Sequence, residues 1–189
     1  MGQLFKNGVL VCVLLLVFIG QSIADSLADA QRAYYAKNYA KAVKLYVPLA
    51  NNGDVVAQYS LGVMYENGEG VPQDLKEAAQ WYQMAAEQGN AKAQIIIGFR
   101  YANDKNFKEA VIWYRQAAEF GNASVQYVLG VKHDNGLGVS QNYIEAFKWY
   151  RMAAEQGDAK AQSNLGVLYH NGLGIPQNHI EAVKWYRMA

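Results

Sequence analysis

One pattern recurs from about Ser26 to the end of this chain, and it limits what the chain can fold into. Trp-Tyr pairs stand at Trp81-Tyr82, Trp113-Tyr114, Trp149-Tyr150 and Trp185-Tyr186, at spacings of 32, 36 and 36 residues. A glycine stands upstream of each pair, at Gly62, Gly98, Gly130 and Gly166, spaced 36, 32 and 36 apart. Self-similarity with a period in the thirties marks a solenoid of helix pairs and not a single-core enzyme. A solenoid of this kind is usually a binding surface, so the expected function is recognition of a partner.

The unit from Asp54 to Gly89 shows how the repeat instructs the backbone. Ala57, Leu61 and Tyr65 are four apart and share one helical face. Asn67-Gly68-Glu69-Gly70 then breaks the helix. A second helix is expected at Asp74, which can accept from the first free N–H groups, with Glu77 three residues on as in a capping box. Its apolar stripe is Ala78, Trp81, Tyr82 and Ala85, and Gly89 supplies the left-handed exit. The other units carry the same signals. Exit glycines are Gly53, Gly89, Gly121 and Gly157, each followed by a capping Asp54, Asn90, Asn122 or Asp158; the second-helix box recurs as Asn106/Glu109, Asn142/Glu145 and Asn178/Glu181. Local and global signals agree, and no strand pattern competes. The fold class expected is all-α, a right-handed α-solenoid of about five antiparallel helix pairs. Truncating Trp113 in such packing is expected to cost about 3–5 kcal/mol.

Two units are shorter. The stretch Phe99 to Phe107 lacks four residues of the inter-helix loop, and Ser26 to Gly53 looks the same. The expected organisation is a first repeat over 25–54, then units 54–89, 90–121, 122–157 and 158–189. By the offset of 36, Ala189 corresponds to Ala153, so the last unit is cut short. Its Trp185/Tyr186 face would be partly uncovered, which reads as a fragment of a longer chain or as an end that docks, self-association included.

The first 24 residues are a separate problem. Lys6 is their only charge, Val9 to Ile19 is an unbroken apolar run of 11 residues, and Ser22 and Ala24 are small. This is the pattern of a cleaved secretory signal, and the run falls short of the roughly 20 residues of a spanning helix. The expectation is an exported, periplasmic or secreted protein with no membrane span after cleavage; an uncleaved N-terminal anchor is the alternative. Removing residues 1–24 takes away one Lys, so 16 Lys+Arg meet 16 Asp+Glu. A formally neutral chain argues against nucleic acid as a partner. Cys12, the sole cysteine, leaves with the signal, so neither a disulfide nor a thiolate site is expected in the mature chain.

The residues that carry the repeat resemble the Sel-1-like repeat family, relatives of the tetratricopeptide repeat. The matching motifs run Ala57-Gln58-Tyr59-Ser60-Leu61-Gly62, Tyr65 to Val71 and Ala78 to Gly89, and recur as Leu129-Gly130 with Asn135-Gly136-Leu137-Gly138-Val139 and as Leu165-Gly166 with Asn171-Gly172-Leu173-Gly174-Ile175. The units at 26–53 and 91–121 look more like plain tetratricopeptide units. The resemblance implies a right-handed superhelix whose first helices line the concave side, and a scaffold or adaptor role, often in bacterial envelopes or signalling. Some cysteine-rich relatives bind or hydrolyse β-lactams; this chain lacks their cysteine pairs.

Little in the sequence points to chemistry. None of Ser26, Ser60, Ser124, Ser140 or Ser163 begins a Ser-x-x-Lys, and there is no Gly-x-Ser-x-Gly elbow. His133 stands where other units have Tyr65, Tyr101 and Tyr169, as a packing or hydrogen-bonding substitute. His170 and His179 flank the last turn. No two histidines have a helical spacing of three or four, so no metal pair is visible, and no catalytic residue or cofactor is expected. The Gly-x-Gly loops lack a following Gly-Lys-Ser/Thr and read as turns.

Positions that differ between units are candidates for partner contact. Two, four apart in the first helices, vary most: Ser60, Ile96, Val128 and Asn164 at one, Met64, Arg100, Lys132 and Leu168 at the other. Off the Ala57/Leu61/Tyr65 face, this stripe is expected to face the groove of the superhelix and bind a protein or peptide segment. Arg100 and Lys132 would pair with carboxylates and the apolar members would supply contact area. The bland reading of the same stripe is that it stacks one unit on the next. Two rival functions stay open at this point: an envelope enzyme or binder acting on β-lactams or cell-wall fragments, and a structural self-assembly module.

Overall fold

The structure, a computed structural model, describes residues 25–189; the expected signal segment at 1–24 lies outside the described residues. Among the described residues there are ten helices and no strand. Helix α1 covers residues 25–35 and is followed by α2 (Tyr39–Asn51), α3 (Val55–Asn67), α4 (Leu75–Glu87), α5 (Ala91–Asn103), α6 (Phe107–Ala118), α7 (Ala123–Asn135), α8 (Tyr143–Glu155), α9 (Ala159–Asn171) and α10 (His179–Met188). Odd-numbered helices are the first, or A, helices of each repeat and even-numbered ones the second, or B, helices. The fold is an all-α solenoid of about five repeats.

The expected helix starts carry their caps. Asp54, Asn90, Asn122 and Asp158 accept from the N–H three residues on at 2.8–3.1 Å, relieving donors that have no partner within the helix. Asp74, Asn142 and Asn178 do the same for B helices. Asn106 departs from expectation: it makes no side-chain cap bond. The shortened turn before it runs through Lys105 in the left-handed region, and Asn106 itself has φ −86° and ψ 68°, against −151° and 98° for the capping Asn142. Asn38, at nearly the same angles (φ −84°, ψ 68°) after Lys37, still accepts from the Lys41 N–H at 3.3 Å, so the backbone angles alone do not account for the missing bond.

The described residues divide into two compact units, one ending at Met84 and one running Ala85–Ala189. In the first, Ala30, Ala42, Tyr46, Leu49, Leu61 and Met64 form a buried cluster on which Tyr34, Tyr65 and Trp81 pack. In the second, α5 packs on α6, α7 on α8 and α9 on α10, while α6 meets α7 and α8 meets α9. Two clusters form its core, one around Val111, Tyr114 and Leu129 and one around Tyr150, Leu165 and Leu168.

Within the four helix pairs from α3 onward, the B-helix tyrosine lies on the A-helix glycine. A Cβ built on Gly130 would sit 2.4 Å from the Tyr150 ring, and the same holds for Gly62 with Tyr82, Gly98 with Tyr114 and Gly166 with Tyr186. No side chain fits there, so the aromatic face seats directly on the A-helix backbone. Tyrosine, not tryptophan, is the buried member of the pair: Tyr82, Tyr114 and Tyr150 are buried, whereas Trp81, Trp113 and Trp149 are half-buried. Tyr82 donates to Glu66 at 2.6 Å and Tyr150 to Asp134 at 3.0 Å. Burial first, and then the neighbouring carboxylate, hold both phenols well above the ordinary tyrosine pKa, so each stays a donor.

Neighbouring repeats are joined by a buried glutamine. Gln58, Gln94, Gln126 and Gln162 donate across eight residues to the carbonyls of Ala50, Ala86, Ala118 and Ala154 at 3.1–3.2 Å. Each ties an A helix to the last turn of the B helix before it, where carbonyls lack intrahelical partners. The A-helix loops add a second seam: Gly138 lies against the backbone of Phe107, and Gly174 against that of Tyr143.

Candidate partner-binding surface

The variable stripe is built from positions that the helix geometry treats differently from one another. Met64 and Leu168 are 0% and 1% exposed, inside the cores of their units. This corrects the expectation that they line a groove. Each lies three residues beyond a buried leucine, Leu61 or Leu165, and residues three apart share a helix face. The same position in α5 and α7 holds a charge, and charges leave the core. Arg100 is exposed. Lys132 lays its stem along Phe107, with Nζ 4.3 Å from the ring centroid, a cation–π contact. Partial burial pulls the Lys132 pKa down.

The other register of the stripe belongs largely to the seam between repeats. The Ser60 hydroxyl donates to the Val56 carbonyl at 2.7 Å and also bonds the Tyr46 hydroxyl. Asn164 hydrogen-bonds Tyr150 of the preceding repeat. Ile96 and Val128 are half-buried, and Val128 packs against the core. The structure thus brings Arg100 and Lys132 to a surface and leaves most of their neighbours stacking one unit on the next.

A different line on the A helices is open. One residue before each Met64-type position stand Val63, Phe99, Val131 and Val167. Phe99 is 60% exposed and Val167 40%, and Val131 is half-buried. One turn earlier come Ile95, Tyr127 and Ser163, all half-buried. In the second unit this line opens at Phe99 on α5 and Val167 on α9, while Ile95, Tyr127 and Val131 lean on the cores, and Arg100 and Lys132 stand next along α5 and α7. Comparison of the repeats carries the signal: the A helices α3, α5, α7 and α9 all hold an apolar residue here, off the face that Ala57 and Leu61 define.

His133 is the one charged or histidine side chain buried among the described residues. Its Nε2 is 3.5 Å from the Arg115 guanidinium, and its Nδ1 is buried without a hydrogen-bond partner. Burial and then the Arg115 charge push its pKa down, and Glu145 opposes them. An unfolded imidazole, with pKa near 6.5, binds a proton more readily than this folded one. Stability from neutral His133 is therefore complete above about pH 6.5 and is lost as pH falls toward and through the lowered folded value. The melting temperature is expected to drop more between about pH 7.5 and about pH 5.5 in the wild type than in His133→Tyr, tyrosine being the residue of the other repeats. Identical pH profiles would show that His133 is not held neutral.

Comparison with known proteins agrees with this architecture. A family model, the Sel1 repeat, matches residues 32–54, 55–90, 91–122, 123–158 and 159–189, the two short-loop units included. The crystal structure of a Sel1 repeat protein from Oxalobacter formigenes superposes with a TM-score of 0.78 at 38% identity, over 86% of this chain and 68% of that one. A protective antigen of uropathogenic Escherichia coli with an SLR fold superposes with a TM-score of 0.77 at 35% identity, over 92% of this chain but 39% of its own. The "DAP3-binding cell death enhancer 1" of Rattus norvegicus is 46% identical over 54 residues, 29% of this chain; the match spans only 11% of that relative's length. Five matched units from residue 32 to residue 189, on a helix-pair structure shared with solved members, establish that the chain belongs to the Sel1 repeat family.

Proposed function

We propose that this protein is an exported adaptor that holds an acidic, partly apolar segment of another protein along the open line of α5, α7 and α9. Proteins built of Sel1 and related repeats generally mediate protein–protein interaction, and Sel1 scaffolds are typically non-enzymatic. The observation that carries the reading is the exposure of Phe99 and Val167 at the same repeat position, with the cations Arg100 and Lys132 one residue beyond that position on α5 and α7. An apolar strip supplies contact area, and flanking cations select carboxylates and set the register of the bound segment. The E. coli neighbour is described as a protective antigen, which fits an exported setting; for this chain, export rests on Lys6, the Val9–Ile19 run and Ser22-x-Ala24. No helix among the described residues is long and apolar enough to cross a membrane.

The double substitution Arg100→Glu/Lys132→Glu tests the reading. It should leave helicity intact and melting close to wild type, while a partner captured by in-cell crosslinking of the wild type is lost. A partner retained by the variant would place the binding surface elsewhere. Collapse of the variant's fold would make these residues part of the packing.

A further inference from the structure

We propose that His170 and His179 form a two-imidazole site for a divalent late transition metal, with Zn(II), Ni(II) and Cu(II) as the chemical class. Nine residues separate them, so no helical spacing reveals the pair; the loop closes it. His170 sits in the last turn of α9 and His179 opens α10, and their ring centroids are 4.9 Å apart. Three features fix the loop. Gly172 turns left-handed at the end of α9, Gln177 donates to the His170 carbonyl at 2.7 Å, and Asn178 caps α10.

The ring separation has the size that coordination requires. A metal–imidazole nitrogen bond of about 2.0–2.1 Å places the ring centroid about 3.2 Å from the metal. Two such rings lie about 4.5 Å apart for a right-angle pair of ligands and about 5.2 Å apart for a tetrahedral pair. The observed 4.9 Å falls between them. Both side chains are exposed, so an ion can enter from solvent and the rings can turn their nitrogens toward it without disturbing a core. The nearest carboxylate along α10, Glu181, is held by Lys184. Among the described residues no three potential ligands cluster, so the chain supplies two nitrogens and leaves the remaining positions to water or to a donor from elsewhere. Preference should follow the ordinary order for nitrogen ligands, Cu(II) above Ni(II) and Zn(II).

The test uses protein free of any histidine tag. Zn(II) titrated calorimetrically into the full chain should bind one ion per chain and raise the melting temperature, because a ligand that binds only the folded form stabilises it. His170→Asn and His179→Asn should each lose the binding and the thermal shift while melting like the wild type without metal. Cu(II) bound to the wild type should show coupling to two imidazole nitrogens by electron paramagnetic resonance, falling to one in either variant. Zn(II) binding that survives both substitutions, or an absence of binding to wild-type protein at millimolar Zn(II), would overturn the proposal and leave the two rings as a packing pair.

Discussion

Truncating Tyr150 to alanine is expected to cost about 3–5 kcal/mol, the usual penalty for removing a large buried ring. Tyr150 is fully buried, and its ring fills the space that Gly130 leaves by having no side chain. Nothing nearby can refill that slot, since the A-helix backbone itself forms its floor. The variant also leaves Asp134 without the phenol hydroxyl it accepts from. Trp149→Ala should cost clearly less, because Trp149 is half-buried and its Nε1 has no hydrogen-bond partner to lose. Urea denaturation of the two variants beside wild type measures both costs. A Tyr150→Ala cost within about 1 kcal/mol of wild type, or the reverse ranking of the two variants, would contradict the packing described for Tyr82, Tyr114 and Tyr150.

The second large effect is expected at Gly138. This residue has φ +84°, and a Cβ added to it would meet the carbonyl oxygen of Phe107 at 2.2 Å. An L residue in the left-handed region costs about 1–2 kcal/mol on its own. The steric contact comes in addition, and because it is with backbone, no rotamer change relieves it. The loop must lift away from the start of α6 and uncover Phe107, on which Lys132 rests. Gly138→Ala should therefore destabilise by more than about 2 kcal/mol. Gly157→Ala is the control: its φ is +90°, but a Cβ there would meet nothing within 4 Å. It should show the conformational cost alone. Equal losses in the two variants would mean that the loop does not seat on Phe107.

Much of the fold was legible because the repeat compares itself with itself. Helix ends, caps and the glycine that admits the tyrosine all recur at fixed offsets, and each has a local physical cause. Which member of the Trp-Tyr pair goes inside was also written in the chain. Ala78, Ala85 and Ala86 stand four before, three after and four after Tyr82, and all are buried with it. A tight frame of alanines selects the position 100° round the helix from Trp81. The same logic failed for the surface. Variation between units reads as a sign of partner contact, yet Met64 and Leu168 differ only because a methionine or a leucine can fill the same core position. The line of Phe99, Val131 and Val167 changes less and is more open. The capping bond missing at Asn106 was not legible from residue type: Asn38, the same residue at nearly the same φ and ψ in the other shortened turn, makes one. Likewise His170 and His179 meet only because the loop brings two helix ends together.

The claim that the A helices carry the partner surface can be tested within one repeat. Phe99 on α5 and Ile112 on α6 are exposed to similar extents, 60% and 56%, on opposite helices of the same pair. A photo-crosslinking amino acid placed at each position in turn, in the full chain expressed in its own cells, reads which side meets another protein. Crosslinking from position 99, abolished by Arg100→Glu/Lys132→Glu and absent from position 112, is the result expected. Crosslinking from position 112 alone would put the partner on the B helices and contradict the account.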